Sequence, residues 1–148
     1  MENHMQSAEE IKELILLNIG ELCCGINNVQ VQEINKHIKL TMVPHAPEYI
    51  RGVMNLRGQI MTIIDLRSKF DLPQEEISAA HRVVVVHYHG EMIGLLADSV
   101  SDIINIKPDN LEPPPPSLGR INAQFFSAIY KMEDKLIAVL DLEKLLAV

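Results

Sequence analysis

Tryptophan is absent from this 148-residue chain, and three Tyr with three Phe bring the aromatic share to only 4%. Sequence-tolerant single-strand binding uses aromatic platforms on which bases stack, so this scarcity argues against it. Positive charge is also short. Lys and Arg number 13 against 20 Asp and Glu, a formal net charge of −7, which removes the cationic surface that releases counterions from a duplex. Cysteine is confined to the neighbours Cys23 and Cys24. In a strand they point to opposite faces and do not meet, so they fit neither a disulfide framework nor a Cys-x-x-Cys redox pair, but small apolar strand residues in a reducing compartment. None of the seven glycines forms Gly-x-Gly-x-x-Gly, a Walker-type loop or a Gly-x-Ser-x-Gly elbow. No apolar run reaches the roughly 18 residues of a membrane span, and the polar start Met1-Glu2-Asn3-His4 is unlike a signal peptide. What remains is an aliphatic-rich chain, 47% hydrophobic, expected to be a cytoplasmic globular protein.

What the chain does have is an internal repeat. Ile15–Glu21 and Val85–Glu91 are aliphatic runs closing on Gly-Glu, each followed by a second apolar run, the pattern of a β-hairpin. A Val-x-x-Ile follows each, Val31 to Ile34 and Val100 to Ile103, at an offset of 69, with Glu33 and Asp102 in the same place. At a constant offset of 76, Tyr49-Ile50 then meets Phe125-Phe126, and Ile60–Leu66 meets Leu136–Leu142. Both copies end on Asp-Leu, where Asp65 and Asp141 can cap short helices ending near Phe70 and Leu146. These matches predict two small β subdomains, residues 13–70 and 82–146, joined by a polar linker over 71–81 and packed on a shared apolar interface. Residues 1–12 read as a flexible tail, although Ser7-Ala8-Glu9-Glu10 has capping-box spacing. Pro113 to Pro116 read as an extended connection.

The copies differ where packing does not explain the residues. Arg51, Gly52, Arg57 and Gly58 of the first are Ser127, Ala128, Glu133 and Asp134 in the second. Gly58 suits a turn with positive φ and Gly52 a close backbone approach, while Arg57 is placed to pair with Glu33. Between Lys36 and Lys69, six bases face only Glu48 and Asp65, an excess of four positive charges, and the rest of the chain carries an excess of eleven negative ones. Such a patch steers an acidic partner. His87 and His89 project to one face of a strand, half of a possible zinc site, without a complementary cluster in the sequence. No catalytic constellation emerges.

The run Val43-Pro44-His45-Ala46-Pro47-Glu48-Tyr49-Ile50-Arg51-Gly52-Val53-Met54-Asn55-Leu56-Arg57-Gly58, then Ile63-Ile64-Asp65-Leu66, resembles the family of the bacterial chemotaxis coupling protein CheW and the regulatory domain of the histidine kinase CheA. Val31–Ile34 and Gly94–Val100 agree with it, and the resemblance extends from Glu13 to Leu146. It implies a mainly β fold of two packed five-stranded SH3-like barrels with short helices, one of them at the C-terminus. It further implies a non-enzymatic, cofactor-free adaptor linking methyl-accepting chemotaxis receptors to CheA, bound to the membrane only indirectly, in receptor arrays at the inner membrane. Carried over residue by residue, the receptor tip would dock between the barrels on Val31, Glu33, Arg57, Val83, Val84, Val100 and Ile103. The kinase would meet Arg51, Gly52, Asn55, Leu56, Arg57, Gly58 and Ile60. The same domain serves arrays controlling flagella, type IV pili or other outputs. A small β-barrel metal protein using His87 and His89 and an oligonucleotide-binding barrel are the alternatives from other classes.

Overall fold

A computed structural model of the chain describes residues 11–119 and 121–147. The fold is mainly β. In chain order the strands are β1 (Glu13–Ile19), β2 (Leu22–Asn27), β3 (Val31–Asn35), β4 (Ile50–Leu56), β5 (Gln59–Asp65), β6 (Arg82–Tyr88), β7 (Glu91–Ala97), β8 (Ser99–Asn105), β9 (Leu111–Glu112), β10 (Ser117–Leu118), β11 (Ile121–Asn122), β12 (Phe126–Met132) and β13 (Lys135–Leu140). Short helices occupy Leu66–Lys69 and Leu142–Leu146, directly after the Asp-Leu positions. Asp65 accepts from the Arg67 amide at 2.9 Å and Asp141 from the Lys144 amide at 3.2 Å, so both aspartates cap as their position before a helix dictates.

The repeat is real, and its realisation differs from two consecutive barrels. The compact units are Gln30–Val100 and, among the described residues, 11–29 with 101–119 and 121–147. The first of these holds a five-stranded sheet in the order β3-β6-β7-β5-β4. The second is built on a six-stranded sheet, β8-β1-β2-β13-β12-β9, plus the β10-β11 pair. The two sequence copies have therefore exchanged their leading hairpins. β1-β2 lies beside β8 and β13, and β6-β7 beside β3 and β5, through parallel pairings of β2 with β13 and β5 with β7. This corrects the expected boundaries at 70 and 82. In the second unit's sheet Leu111-Glu112 adds a sixth strand beside Tyr130 and Ile129.

Details of backbone geometry recur at the sequence offsets. The β4 register breaks between Ile50 and Gly52 and that of β12 between Phe126 and Ala128, both bulges separated by 76 residues. The Asp65 amide donates to the Tyr49 carbonyl at 2.7 Å, and the Asp141 amide to the Phe125 carbonyl at 2.9 Å. Arg57 and Glu133, at equivalent turns, share a left-handed φ of 52° and 53°.

Each unit has its own core. Met54, Leu56, Met61, Ile63, Val83, Val85 and Leu96 form that of the Gln30–Val100 unit. Leu14, Leu16, Ile106, Tyr130, Ile137 and Val139, with Ile11, form that of the other. Ile11 is 3% exposed and the Lys12 carbonyl accepts the Ile106 amide at 3.0 Å, so both residues are packed into this unit ahead of the expected boundary at 13. The rest of the expected tail, with the Ser7–Glu10 spacing, lies outside the described residues. Pro113–Pro115 carry no regular secondary structure between β9 and a bend at Pro116.

Parallel pairing brings Gly94 of β7 opposite Ile63 of β5. A Cβ there would stand 2.5 Å from Ile63 Cδ1 and 2.7 Å from Val83 Cγ1, both closed in by the core. Gly94→Ala is expected to overpack this site and cost about 1–3 kcal/mol, read as a lower urea midpoint at unchanged slope. An unchanged midpoint would show that the two side chains yield freely.

Candidate functional site

The β4-β5 hairpin closes on two residues, Arg57 and Gly58, with φ of 52° and 86°. Positive φ at both central positions is the type I′ geometry that matches strand twist. The Asn55 side chain accepts the Gly58 amide at 3.0 Å and locks the turn. Arg57 then reaches Glu33 on β3: its Nη2 donates to Oε2, and its Nη1 to Oε1 at 3.4 Å. The pairing expected from sequence is therefore present, and it ties β3, at one edge of the five-stranded sheet, to the turn beside the other edge. Arg57 remains 66% exposed and Glu33 26%, so solvent screens the pair and its main effect is to orient the guanidinium.

The hydrogen bond from Arg57, aided by its charge, holds the Glu33 carboxyl below its ordinary value. A carboxylate depressed in the folded state contributes above its unfolded value and loses that contribution as pH falls through the folded value. A carbon-detected NMR titration is thus expected to find the Glu33 midpoint below 4.5, the reference value, and to see it rise in Arg57→Ala. Identical midpoints in the two proteins would remove the coupling.

Other residues of the expected set separate by exposure. Val31 is half-buried on edge strand β3, Val100 half-buried on β8, and Ile103 on β8 is 58% exposed. Val83 and Val84 are fully enclosed, because β6 lies inside its sheet and both its faces are covered; neither offers contact surface. In the kinase-directed set, Asn55, Arg57, Gly58 and Ile60 are exposed, Ile60 at 69%. Leu56 belongs to the core and Gly52 is buried, so they support this turn from within. Arg51 also turns inward: Nη1 donates to Asp65 at 2.7 Å and Nη2 to the Glu75 carbonyl at 2.8 Å.

Sequence reasoning missed a second ionic knot. Arg67 donates to Asp98 through Nε at 2.9 Å and Nη2 at 2.9 Å, to the Pro73 carbonyl at 3.0 Å, and lies 3.2 Å from the Glu75 carboxylate. Residues 71–81, expected to be a linker, are therefore a strap fastened within the Gln30–Val100 unit. Asp98 stands in the stretch that carried the resemblance, and Arg67 beside the Asp-Leu motif, but nothing in their spacing pairs them.

Glu75, His81 and Asp98 bring three ligand-type groups within 4.8 Å. The buried His81 accepts the Ser78 amide on Nδ1 at 2.9 Å, which places the neutral ring's proton on Nε2, facing Asp98 at 3.9 Å. With Nε2 protonated and the Arg67 guanidinium already on both carboxylates, the chemistry of the donor set does not fit a metal ion. His87 and His89 lie outside this group; His87 is exposed and the His89 ring packs on Tyr88 with centroids 4.2 Å apart. Burial pushes the Cys23 and Cys24 thiols up, which makes them poor nucleophiles, and both are free.

Taken together, the duplicated barrel-like β units and the rigid, exposed Arg57 turn define a class of small β protein built to present surface. The CheW-like domain model matches residues 13–148. A probable chemotaxis protein CheW of Rhizobium etli is 33% identical, over 90% of this chain and 86% of its own. The chemotaxis protein CheW of Helicobacter pylori is 34% identical, over 93% and 83%. The crystal structure of the scaffolding protein TtCheW from Thermoanaerobacter tengcongensis superposes with a TM-score of 0.86 at 33% identity, covering 93% of this chain and 94% of that one. The chain belongs to the CheW-like domain family.

Proposed function

We propose that the protein is a chemotaxis adaptor that couples methyl-accepting receptors to the histidine kinase CheA without catalysing a reaction. The observation that carries this reading is the Arg57 turn: an arginine held by Glu33 in one orientation, beside an exposed Ile60, on a fold whose relatives carry chemotaxis and scaffolding names. Val31, Glu33, Arg57, Val100 and Ile103 form the receptor-directed set, and Asn55, Arg57, Gly58 and Ile60 the kinase-directed set. Apolar side chains supply burial and the oriented charge sets register. An adaptor shifts its partners' equilibrium only by binding their states unequally, so signal passage requires one signalling state to hold these surfaces more tightly. Among the described residues no helix is long and apolar enough to cross a membrane, and the proposed location at receptor arrays then follows from the partners.

The test is co-sedimentation of the purified chain with a receptor cytoplasmic fragment and CheA. Both partners are expected to bring it down in one complex, and neither should do so after Arg57→Glu. A chain that stays in the supernatant with both partners present would overturn the reading.

A further inference from the structure

The surplus of positive charge between Lys36 and Lys69 is largely spent inside the fold. Arg51 is paired with Asp65, Arg57 with Glu33 and Arg67 with Asp98, while Lys69 sits 4.1 Å above the Tyr49 ring. Lys36 and Lys39 are exposed, and among the described residues no carboxylate forms an ion pair with either. They belong to the segment joining β3 to β4, which has no acid from residue 34 to residue 47.

This segment is exposed yet firmly seated. Ile38 and Leu40 pack against the Met54–Leu56–Met61 core. Thr41 exchanges two backbone hydrogen bonds with Val53, both 2.9 Å. Its carbonyl oxygen comes so near β4 that a Cβ on Gly52 would stand 2.6 Å away. At the equivalent bulge in β12 the residue is Ala128, and the neighbouring strand β9 pairs with Ile129, the counterpart of Val53, and with Tyr130. The missing Cβ at Gly52 leaves room for the Thr41 carbonyl at this distance. So held, it presents Met42 at 82% exposure and Val43 at 39%, flanked by exposed Lys36, His37, Lys39 and His45. Folding gains nothing from an apolar side chain left in water, and the arc's conformational entropy is already lost before any partner arrives.

We propose that residues 36–45 form a docking arm for an acidic polypeptide segment carrying apolar side chains, a surface separate from the Arg57 turn. Charge complementarity selects the occupant: two lysines without an ion pair among the described residues, in a stretch with no acid from 34 to 47, attract carboxylates, and the unbranched thioether of Met42 adapts to apolar side chains of varied shape. A lipid surface fits less well, because two lysines and the exposed Met42 and Val43 provide little of the polybasic charge and buried area that hold a protein there.

The test is an NMR titration of the full-length, isotope-labelled chain with a synthetic amphipathic peptide of about four helical turns, Glu on one face and Leu on the other. Saturable shifts confined to residues 36–45 and weakened by salt are expected. Met42→Glu, a surface change that leaves the fold untouched, should weaken binding by roughly tenfold or more. Gly52→Ala should do the same by unseating the arc. The same peptide with Lys for Glu should produce no shifts. No shifts with the Glu peptide, shifts mapping elsewhere, equal response to the Lys peptide or undiminished binding by Met42→Glu would each overturn the proposal. So would binding to phosphatidylserine vesicles in place of the peptide, which would assign the arm to a membrane.

Discussion

Arg57→Glu is expected to weaken the ternary assembly with receptor and kinase by roughly a hundredfold while leaving the folded chain intact. The expectation follows from where the residue stands. Its backbone already adopts a left-handed turn that the substituted residue shares with Glu133 at the equivalent position, so the change is conformationally tolerated. The guanidinium is two-thirds exposed and contributes little to stability through its screened pair with Glu33. What is lost is an oriented cation, replaced by a carboxylate that Glu33 repels. Circular dichroism and the urea midpoint should match the original chain, and co-sedimentation should not. Assembly at the original level would show that the turn is not a contact surface. Glu33→Arg combined with Arg57→Glu restores the pair with reversed polarity. It should recover the turn's order but not the assembly, because the partner meets the wrong sign.

The largest effect on stability is expected from breaking the Arg51–Asp65 pair. Asp65 is 2% exposed and serves two donors, the Arg51 guanidinium at 2.7 Å and the Arg67 amide at 2.9 Å. Arg51→Ala leaves a buried carboxylate without its counter-charge, and Asp65→Ala leaves a helix uncapped beside a half-buried guanidinium. Each is expected to cost about 3–5 kcal/mol in chemical denaturation. Replacing both, Arg51→Met with Asp65→Leu, should cost well under the sum, because no charge is then stranded. Single-variant losses below about 1 kcal/mol would mean that water reaches the pair. Arg51 lies in the same short motif as Arg57, yet the two should separate cleanly, one acting on stability and the other on assembly.

That separation was not legible from the motif. Arg51, Gly52, Leu56 and Arg57 stand within seven residues, and exposure divides them into internal supports and one presented side chain. The Glu33–Arg57 contact was legible, because a two-residue Arg-Gly turn fixes where the guanidinium begins and the first copy alone sets a cation against the acid, the second having Glu133 with Asp102. Val83 and Val84 show the limit of alternation. Neighbours on a strand face opposite ways, but whether either face is open depends on what packs over it, and both faces of β6 are covered at Val83 and Val84. Strand identity, hairpins and helix caps followed from the offsets of 69 and 76, since local turn chemistry and periodicity decide them. Which sheet each hairpin joins did not, because it rests on pairings such as Ile63 with Gly94 between residues far apart in sequence. The Arg67–Asp98 contact escaped for the same reason, bridging 31 positions.

The exchange of leading hairpins binds the two sequence copies into one interdependent fold. A protease cut within residues 71–81 would sever a tandem array of independent modules into two free pieces, but here each piece would hold strands that the other's sheet requires. Neither half could complete its sheets alone, and the nicked chain should persist as a complemented heterodimer.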